Sequence, residues 1–219
     1  MVADDKDTHN TGDNCEVSTR ETERVVLGVR WNIVNDELIF DVSDISRTMN
    51  KREPTKRNAV SIGTKFFDPL GILTPLTVRF KLLFQHLCEA QVEWDEPLTG
   101  ELLTEWNALK SDLQSFAPIT VPRCYSVGIV GSQEATVSLK GFCDASLKAY
   151  AAAVYIEYHT GTEVTRRFIC AKSRITPLKK ITIPRLELLS ALLLSRLITT
   201  VQEALKPELE ITAIDCYTD

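Results

Sequence analysis

Residues 182–205, TIPRLELLSALLLSRLITTVQEAL, are the most informative segment of this chain. Pro184 stands where a first helical turn tolerates proline, so a long helix is predicted to begin here. At 100° per residue, Glu187 shares one face with four apolar residues: Leu194, Ile198, Val201 and Leu205. The opposite face carries Arg185, Arg196 and Glu203. The pattern predicts a helix that packs its apolar face on a sheet.

Strand-like segments surround this helix on both sides. Three precede it, ATVSLKGFCDAS (135–146), AYAAAVYIEYH (149–159) and VTRRFICAKSR (164–174), and all are rich in β-branched or aromatic residues. Thr160-Gly161 is a tight-turn signal between the second and the third. ITAIDCYTD (211–219) follows the helix as a fourth strand. The order β-β-β-α-β predicts a mixed sheet covered by the helix.

The N-terminal half has a different pattern. RVVLGVRW (24–31) and ELIFDV (37–42) flank a polar turn and predict a β-hairpin. Residues 58–117 are predicted to be helical, interrupted by the turn DPLG at 68–71, and Pro118 and Pro122 are predicted to close this region.

The predicted fold class is therefore α/β (α+β). A short β-hairpin and a helical region precede a β-β-β-α-β unit. Residues 1–22 lack apolar periodicity and are predicted to be disordered. The predicted units are 1–22, 23–125 and 126–219.

Composition excludes several classes of protein. The 219 residues are 44% hydrophobic with a net charge of −5, and no apolar run reaches the ~18 residues of a membrane span. The acidic start does not resemble a signal peptide. The six cysteines lack the spacing of a zinc site and are predicted to be reduced. We expect an intracellular protein without membrane contact, in the cytoplasm, with the nucleus as the alternative.

Basic residues cluster in two tracts. The segment from Val164 to Leu186 has no acidic residue, and its cations are Arg166, Arg167, Lys172, Arg174, Lys179, Lys180 and Arg185. The second tract consists of Arg47, Lys51, Arg52, Lys56 and Arg57. Such tracts on an acidic chain are typical of a protein that contacts phosphates along one track. Solvated faces whose charges are balanced by neighbours in space are the open alternative.

Three carboxylates do not fit a core. A carboxylate such as that of Glu187, at the end of a buried apolar row, lowers the stability of the fold by several kcal/mol unless it is paired, protonated or metal-bound. An ion pair with Lys172 or Arg174 is the alternative to a metal or catalytic role. Asp144 interrupts the first strand and Asp219 ends the fourth. The ordinary explanation for Asp144 is a bulge or a strand end, and that for Asp219 is a terminal residue. Asp215, on the same strand face as Asp219, is a weaker candidate for the third carboxylate. Convergence of the three would suit a hard divalent cation.

The motifs around these carboxylates resemble a known family. GFCDAS (141–146), KSRITPLKKITIPRLELLSALLLSRL (172–197) and CYTD (216–219) resemble the ribonuclease H region of BEL/Pao-type retrotransposon polyproteins. Upstream motifs resemble the segment that links reverse transcriptase to ribonuclease H in that family; they are VLGVRWN (26–32), TKRNAV (55–60), KFFDPLGILTPLTVRFKLLFQ (65–85), VEWDEPL (92–98) and ITVPRC (119–124).

The resemblance implies a function and a site. The family's catalytic aspartates fall on Asp144 and Asp219 and its glutamate on Glu187, which would hold two Mg²⁺ ions ~4 Å apart and cleave the RNA strand of an RNA–DNA hybrid. The implied nucleic-acid contacts are Lys172, Arg174, Lys179, Lys180 and Arg185. The rest of the polyprotein is the other implied partner.

The sequence also departs from the family pattern. It has no Tyr-X-Asp-Asp polymerase motif, and it stops at Asp219, before the last acidic ligand and closing elements of the family. We therefore expect a polyprotein fragment that is inactive, or nearly so, as a nuclease by itself. The alternatives are a nucleic-acid-binding remnant that does not cut and a domesticated module for protein contacts.

Overall fold

A computed structural model describes residues 22–26, 28–126, 135–161, 163–179 and 181–218. Most of the segment predicted to be disordered, residues 1–21, lies outside this range.

The N-terminal part begins with a small antiparallel sheet. Its strands, in spatial order, are β1 (Glu23–Val26), β2 (Val29–Asn32), β3 (Glu37–Phe40) and β4 (Ile119–Pro122). The predicted hairpin is confirmed as β2 and β3. The prediction of one strand over 24–31 was wrong, because the chain reverses near Gly28, whose φ of 79° suits glycine, and β1 pairs antiparallel with β2.

Strand β4 was not predicted, because its sequence is flanked by Pro118 and contains Pro122. It pairs with β3, with Pro122 opposite Glu37, and it lies at the edge of the sheet. An edge strand tolerates proline, since one side of it needs no ladder hydrogen bonds.

Four helices connect β3 to β4. They are α1 (Ser43–Asn50), α2 (Lys56–Gly63), α3 (Thr74–Glu89) and α4 (Gly100–Ser115). The buried face of α3 consists of Leu76, Phe80, Leu83 and Leu87. Trp106 of α4 is 1% exposed in the same core, whereas Trp94 is 45% exposed and lies beside the cations of Lys56 and Arg57.

The second sheet confirms the predicted β-β-β-α-β order. Its strands are β5 (Thr136–Ala145), β6 (Ala149–Thr160), β7 (Glu163–Ile175) and β8 (Ile211–Tyr217), and the helix α5 (Ile183–Leu205) precedes β8. The spatial order is β7-β6-β5-β8. Strand β5 is antiparallel to β6 and parallel to β8.

Helix α5 packs on one face of this sheet, over β5 and β6. Its buried residues are Leu186, Ser190, Leu193, Leu194, Ile198 and Val201. The closest approach is at Gly141 on β5, where a Cβ atom would lie 2.7 Å from Cδ1 of Leu194 and 2.8 Å from Cδ1 of Ile198. The 23-residue helix is long and apolar enough to cross a bilayer by composition, but here it covers the sheet as the core helix of a domain.

Each sheet has its own apolar cluster, and the DPLG turn connects the two. The amide of Ala171 on β7 donates to the carbonyl oxygen of Leu70 at 2.8 Å. Nε2 of Gln85 on α3 donates to the carbonyl oxygen of Thr176 at 2.7 Å. The helical region thus covers part of the β7 edge, which would otherwise expose unpaired backbone groups. The predicted unit boundary at residues 125 and 126 stays a prediction.

The sheet face away from α5 contains a buried carboxylate. Glu157 on β6 is 3% exposed and pairs with Arg166 of β7 and Lys140 of β5, whose Nζ is 3.4 Å from Oε2 of Glu157. Burial raises the pKa of Glu157, but the hydrogen bond and charge of Arg166, with the charge of Lys140, outweigh it, so the pKa lies below the ordinary 4.5.

Glu157→Gln is expected to lower the free energy of unfolding by about 1–3 kcal/mol near pH 7. A lowered pKa means that the charged form stabilises the fold fully above the ordinary pKa and that this stabilisation is lost as the pH falls below it. The cost of the substitution should therefore shrink in urea unfolding near about pH 3. Glu163→Gln, an exposed residue on β7, is the control. An equal cost of Glu157→Gln at both pH values would contradict this assignment.

No disulfide joins the five described cysteines, Cys88, Cys124, Cys143, Cys170 and Cys216. Their reduced state stays a prediction.

Candidate functional site

Asp144 lies near the end of β5, on the sheet face away from α5. It is exposed and borders a shallow depression beside Phe142 and Tyr217, whose rings stack at 5.0 Å. One carboxylate oxygen, Oδ1, accepts a 2.6 Å hydrogen bond from the amide of Ala145. No cation of the described residues pairs with Asp144, so its carboxylate is available to a ligand.

Glu187 lies on the first turns of α5, where the sequence predicts it. Its neighbour Leu186 is fully buried, and Glu187 itself is half-buried. Ser190 Oγ donates to the backbone carbonyl of Glu187 at 2.7 Å and leaves the carboxylate free. Within the described ranges the carboxylate has no hydrogen bond or ion pair, so the alternative of an ion pair with Lys172 or Arg174 is wrong.

The two carboxylates lie at the same end of the sheet. Helix α5 leads into β8, which is parallel to β5, so α5 runs antiparallel to β5. Starting from the contact between Gly141 and Leu194, Asp144 lies three residues (~10 Å) further along β5. Glu187 lies seven residues (~10.5 Å) back along α5, in the same direction. We call this end of the sheet, where β5 ends and α5 begins, the carboxylate end.

The third predicted carboxylate cannot be placed, because Asp219 lies outside the described residues. The chain leads to it along β8, where Tyr217 pairs with Phe142, two residues before Asp144. Asp215, the weaker competitor, is 2.5 Å from Nζ of Lys140. That ion pair neutralises Asp215, which makes it a poor metal ligand.

The donor set suits a hard divalent cation only in part. Carboxylate oxygens are the ligands that Mg²⁺ prefers, and Asp144 and Glu187 are not neutralised by any described residue. The structure brings them to one end of the sheet but to different faces, since Asp144 lies on the face away from α5. The described part of the chain contains no group of three metal-ligating side chains. A cation held here would take its other ligands from water or from a phosphate.

The predicted nucleic-acid contacts lie near the carboxylate end. Lys172 and Arg174 are exposed on β7, Lys179 is exposed in the loop after it, and Arg185 is exposed on the first turn of α5. None of these four side chains has a hydrogen bond or ion pair with a described residue. Lys180 lies outside the described range.

Other parts of the basic tracts are not free. Arg166 pairs with Glu157 on the face away from α5. A β-bulge near Ile169 turns Arg166 and Lys172 to opposite faces, although an even number of residues separates them. The prediction of one continuous basic track from Arg166 to Arg185 was therefore wrong.

The charges of the second basic tract, residues 47–57, are balanced in part by neighbours in space, which was the alternative interpretation. Arg47 pairs with Asp44, and Nε of Arg57 is 2.6 Å from Oδ1 of Asp95. Nζ of Lys56 donates to the carbonyl oxygen of Val92 at 3.1 Å. Neighbours thus satisfy much of this tract, which weakens the case for phosphate contacts there.

The sequence analysis missed two residues of interest. Arg196 was placed on the helix face opposite the apolar row, and Tyr150 was not singled out. In the structure both border a groove together with Lys172 and Arg174. No sequence signal could have shown this, because it depends on how α5 is rotated over β7.

Comparisons with known proteins find a family match and structural likenesses of low identity. A scan against protein-family models matches residues 55–219 to the Pao retrotransposon-like RNaseH-like domain. A search of curated proteins gave no match. Among solved structures, the foamy viral protease-reverse transcriptase dRH in complex with double-stranded DNA aligns with a TM-score of 0.47 and 16% identity, over 90% of this chain and 30% of that one.

A second structure, the foamy viral protease-reverse transcriptase in complex with double-stranded DNA, aligns with a TM-score of 0.46 and 16% identity, over 90% of this chain and 44% of that one. This chain thus spans less than half of either. The family match begins at Thr55 in the helical region, so it covers the whole of the second apolar cluster and most of the first. The chain belongs to the family of Pao retrotransposon-like RNaseH-like domains.

Proposed function

We propose that this chain is part of a reverse transcriptase/ribonuclease H polyprotein of the BEL/Pao type. In the parent protein its activity is Mg²⁺-dependent cleavage of the RNA strand in RNA–DNA hybrids during reverse transcription. The helical region before the β-β-β-α-β unit corresponds, in this proposal, to the end of the reverse transcriptase palm and its thumb or connection.

One observation supports the proposal most. Asp144 and Glu187, the two described carboxylates that the family resemblance singles out, have no neutralising partner and lie at one end of the sheet. Exposed cations without partners, among them Arg185, lie at the same end. Glu187 and these cations lie on the α5 side of the sheet, and Asp144 lies on the other face at the same end. Free carboxylates near free cations suit a site that binds a metal and a phosphate backbone together.

The side chains have distinct roles in this site. Asp144 and Glu187 would hold Mg²⁺, which when bound activates water and stabilises the charge of the reacting phosphate. Lys172, Arg174 and Arg185 would hold the hybrid by its phosphates, and Lys179 and Lys180 would extend these contacts. Asp219 would be the third metal ligand. Contacts to the 2′-hydroxyls would select the RNA strand.

A non-catalytic function is the second candidate. The exposed, unpaired cations Lys172, Arg174, Lys179 and Arg185 favour it, because they can bind phosphates whether or not a metal is present. In this case the chain holds the nucleic acid and another part of the polyprotein cuts it.

Incubation of the chain with a hybrid labelled on both strands tests the proposal, in Mg²⁺ and in EDTA at equal ionic strength. We expect hybrid binding in both conditions and, in Mg²⁺ only, slow cleavage of the RNA strand. Binding without any Mg²⁺-dependent cleavage would favour the second candidate. Absence of binding would contradict both.

A further inference from the structure

We infer that a groove between β7 and α5 is a binding track for the phosphate backbone of the nucleic acid, on the side of the domain away from Asp144. Its polar walls are Lys172 and Arg174 from β7, Arg196 from α5 and Tyr150 from β6. Its floor is formed by leucines of α5, including Leu193. This inference rests on the proposed function and extends it to Arg196 and Tyr150, which the family resemblance does not mark.

The charge of the groove is of one sign. Three cations line it, and no acidic side chain does. Lys172, Arg174 and Arg196 are all exposed, and none has an ion pair or hydrogen bond with a residue in the described ranges. Like charges along one groove repel one another, and a bound polyanion would compensate this repulsion by its attraction to each cation.

The geometry suits a ribose-phosphate backbone. The cations lie on both walls of the groove, so a strand lying in it meets positive charge on either side. The hydroxyl of Tyr150 has no partner among the described residues and can donate to a phosphate oxygen. Apolar leucines at the floor keep the cations at the rim, where phosphates remain hydrated.

The groove continues from the carboxylate end. Ala145 at the end of β5 pairs with Tyr150, which pairs with Arg174, so two strand spacings, ~10 Å, separate Arg174 from Ala145. Along the helix, Arg196 follows Glu187 by nine residues, ~13.5 Å.

Charge neutralisation of the groove tests this inference. Lys172→Gln, Arg174→Gln and Arg196→Gln are compared singly and together, by the fluorescence anisotropy of a labelled hybrid at several salt concentrations. A lost phosphate contact lowers the slope of log K against log salt by about 0.9, which corresponds to about 5- to 10-fold in affinity near 0.1 M salt. The triple variant should lose about 100- to 1,000-fold.

Lys206→Gln is the matched control, since Lys206 is exposed at the far end of α5 and its loss changes the net charge equally. The control should retain the wild-type salt slope. Thermal unfolding shows whether each variant folds.

The outcomes of this experiment distinguish a failure of the groove inference from a failure of the proposed function. If wild-type protein binds the hybrid and the folded triple variant binds it with the same affinity and slope, the groove inference is wrong and the proposed function stands. If the wild type binds no hybrid, the proposed function itself fails. Tighter binding of polyglutamate than of a hybrid of equal charge would overturn the assignment to nucleic acid in favour of an acidic protein.

Discussion

Asp144→Asn and Glu187→Gln are each expected to lower the Mg²⁺-dependent cleavage of the RNA strand by at least about 100-fold. Loss of a side chain that merely orients a metal ligand costs about 10- to 100-fold, and loss of the ligand itself should cost more. Neither carboxylate has an ion-pair partner among the described residues, so neither substitution breaks an ion pair. Thermal stability should therefore change little, by about 0.5 kcal/mol or less for Asp144→Asn at its exposed position.

Glu203→Gln is the control for the change in charge, since Glu203 is exposed on the same helix but far from the carboxylate end. It should cleave at the wild-type rate. If Asp144→Asn and Glu187→Gln also keep the wild-type rate in Mg²⁺, these residues are not the metal ligands.

Gly71→Ala is expected to lower the free energy of unfolding by about 2–4 kcal/mol. Gly71 has a φ of 79°, and a Cβ atom there would lie 2.0 Å from the carbonyl oxygen of Ala171 on β7. This backbone atom belongs to a paired strand and cannot move aside as a flexible side chain could. Relief of the overlap requires the DPLG turn to separate from β7, which would also break the hydrogen bond from Ala171 to Leu70.

Gly100→Ala is the control that separates the steric cost of the added methyl group from its conformational cost. Gly100 also has a positive φ, 56°, but nothing lies within 4 Å of the added methyl group. Gly100→Ala should lower the free energy of unfolding only by the conformational cost of placing alanine at a positive φ, about 1 kcal/mol. The measurement is chemical denaturation of both variants beside the wild type. Equal costs at Gly71 and Gly100 would contradict the close packing of the DPLG turn on β7.

Local patterns predicted the parts of the fold that depend on them. Pro184 and the apolar row of α5 predicted the helix and the place of Glu187 on it. Strand propensity predicted β5 to β8, and Asp144 stood out because an aspartate near the middle of such a segment is unusual. The DPLG motif predicted a turn at Asp68, confirmed by the 2.8 Å hydrogen bond from the Leu73 amide to Oδ2 of Asp68.

Features that depend on long-range geometry could not be predicted. The bulge in β7 turns Arg166 away from Lys172, and period-two counting cannot detect an inserted residue. The groove of Arg196 depends on the rotation of α5 over the sheet. The prolines of β4 concealed a strand that exists only because β3 offers it an edge. In each case a partner distant in sequence decides the outcome.

The most direct test of the metal site is the hybrid affinity of wild-type protein and Asp144→Asn, each in Mg²⁺ and in EDTA at equal ionic strength. Without metal, the Asp144 carboxylate repels phosphate, so the variant should bind more tightly than the wild type in EDTA. Mg²⁺ should tighten wild-type binding severalfold through linkage and leave the variant unchanged. An equal response of both proteins to Mg²⁺, or none in either, would contradict a divalent metal held by Asp144 against the hybrid.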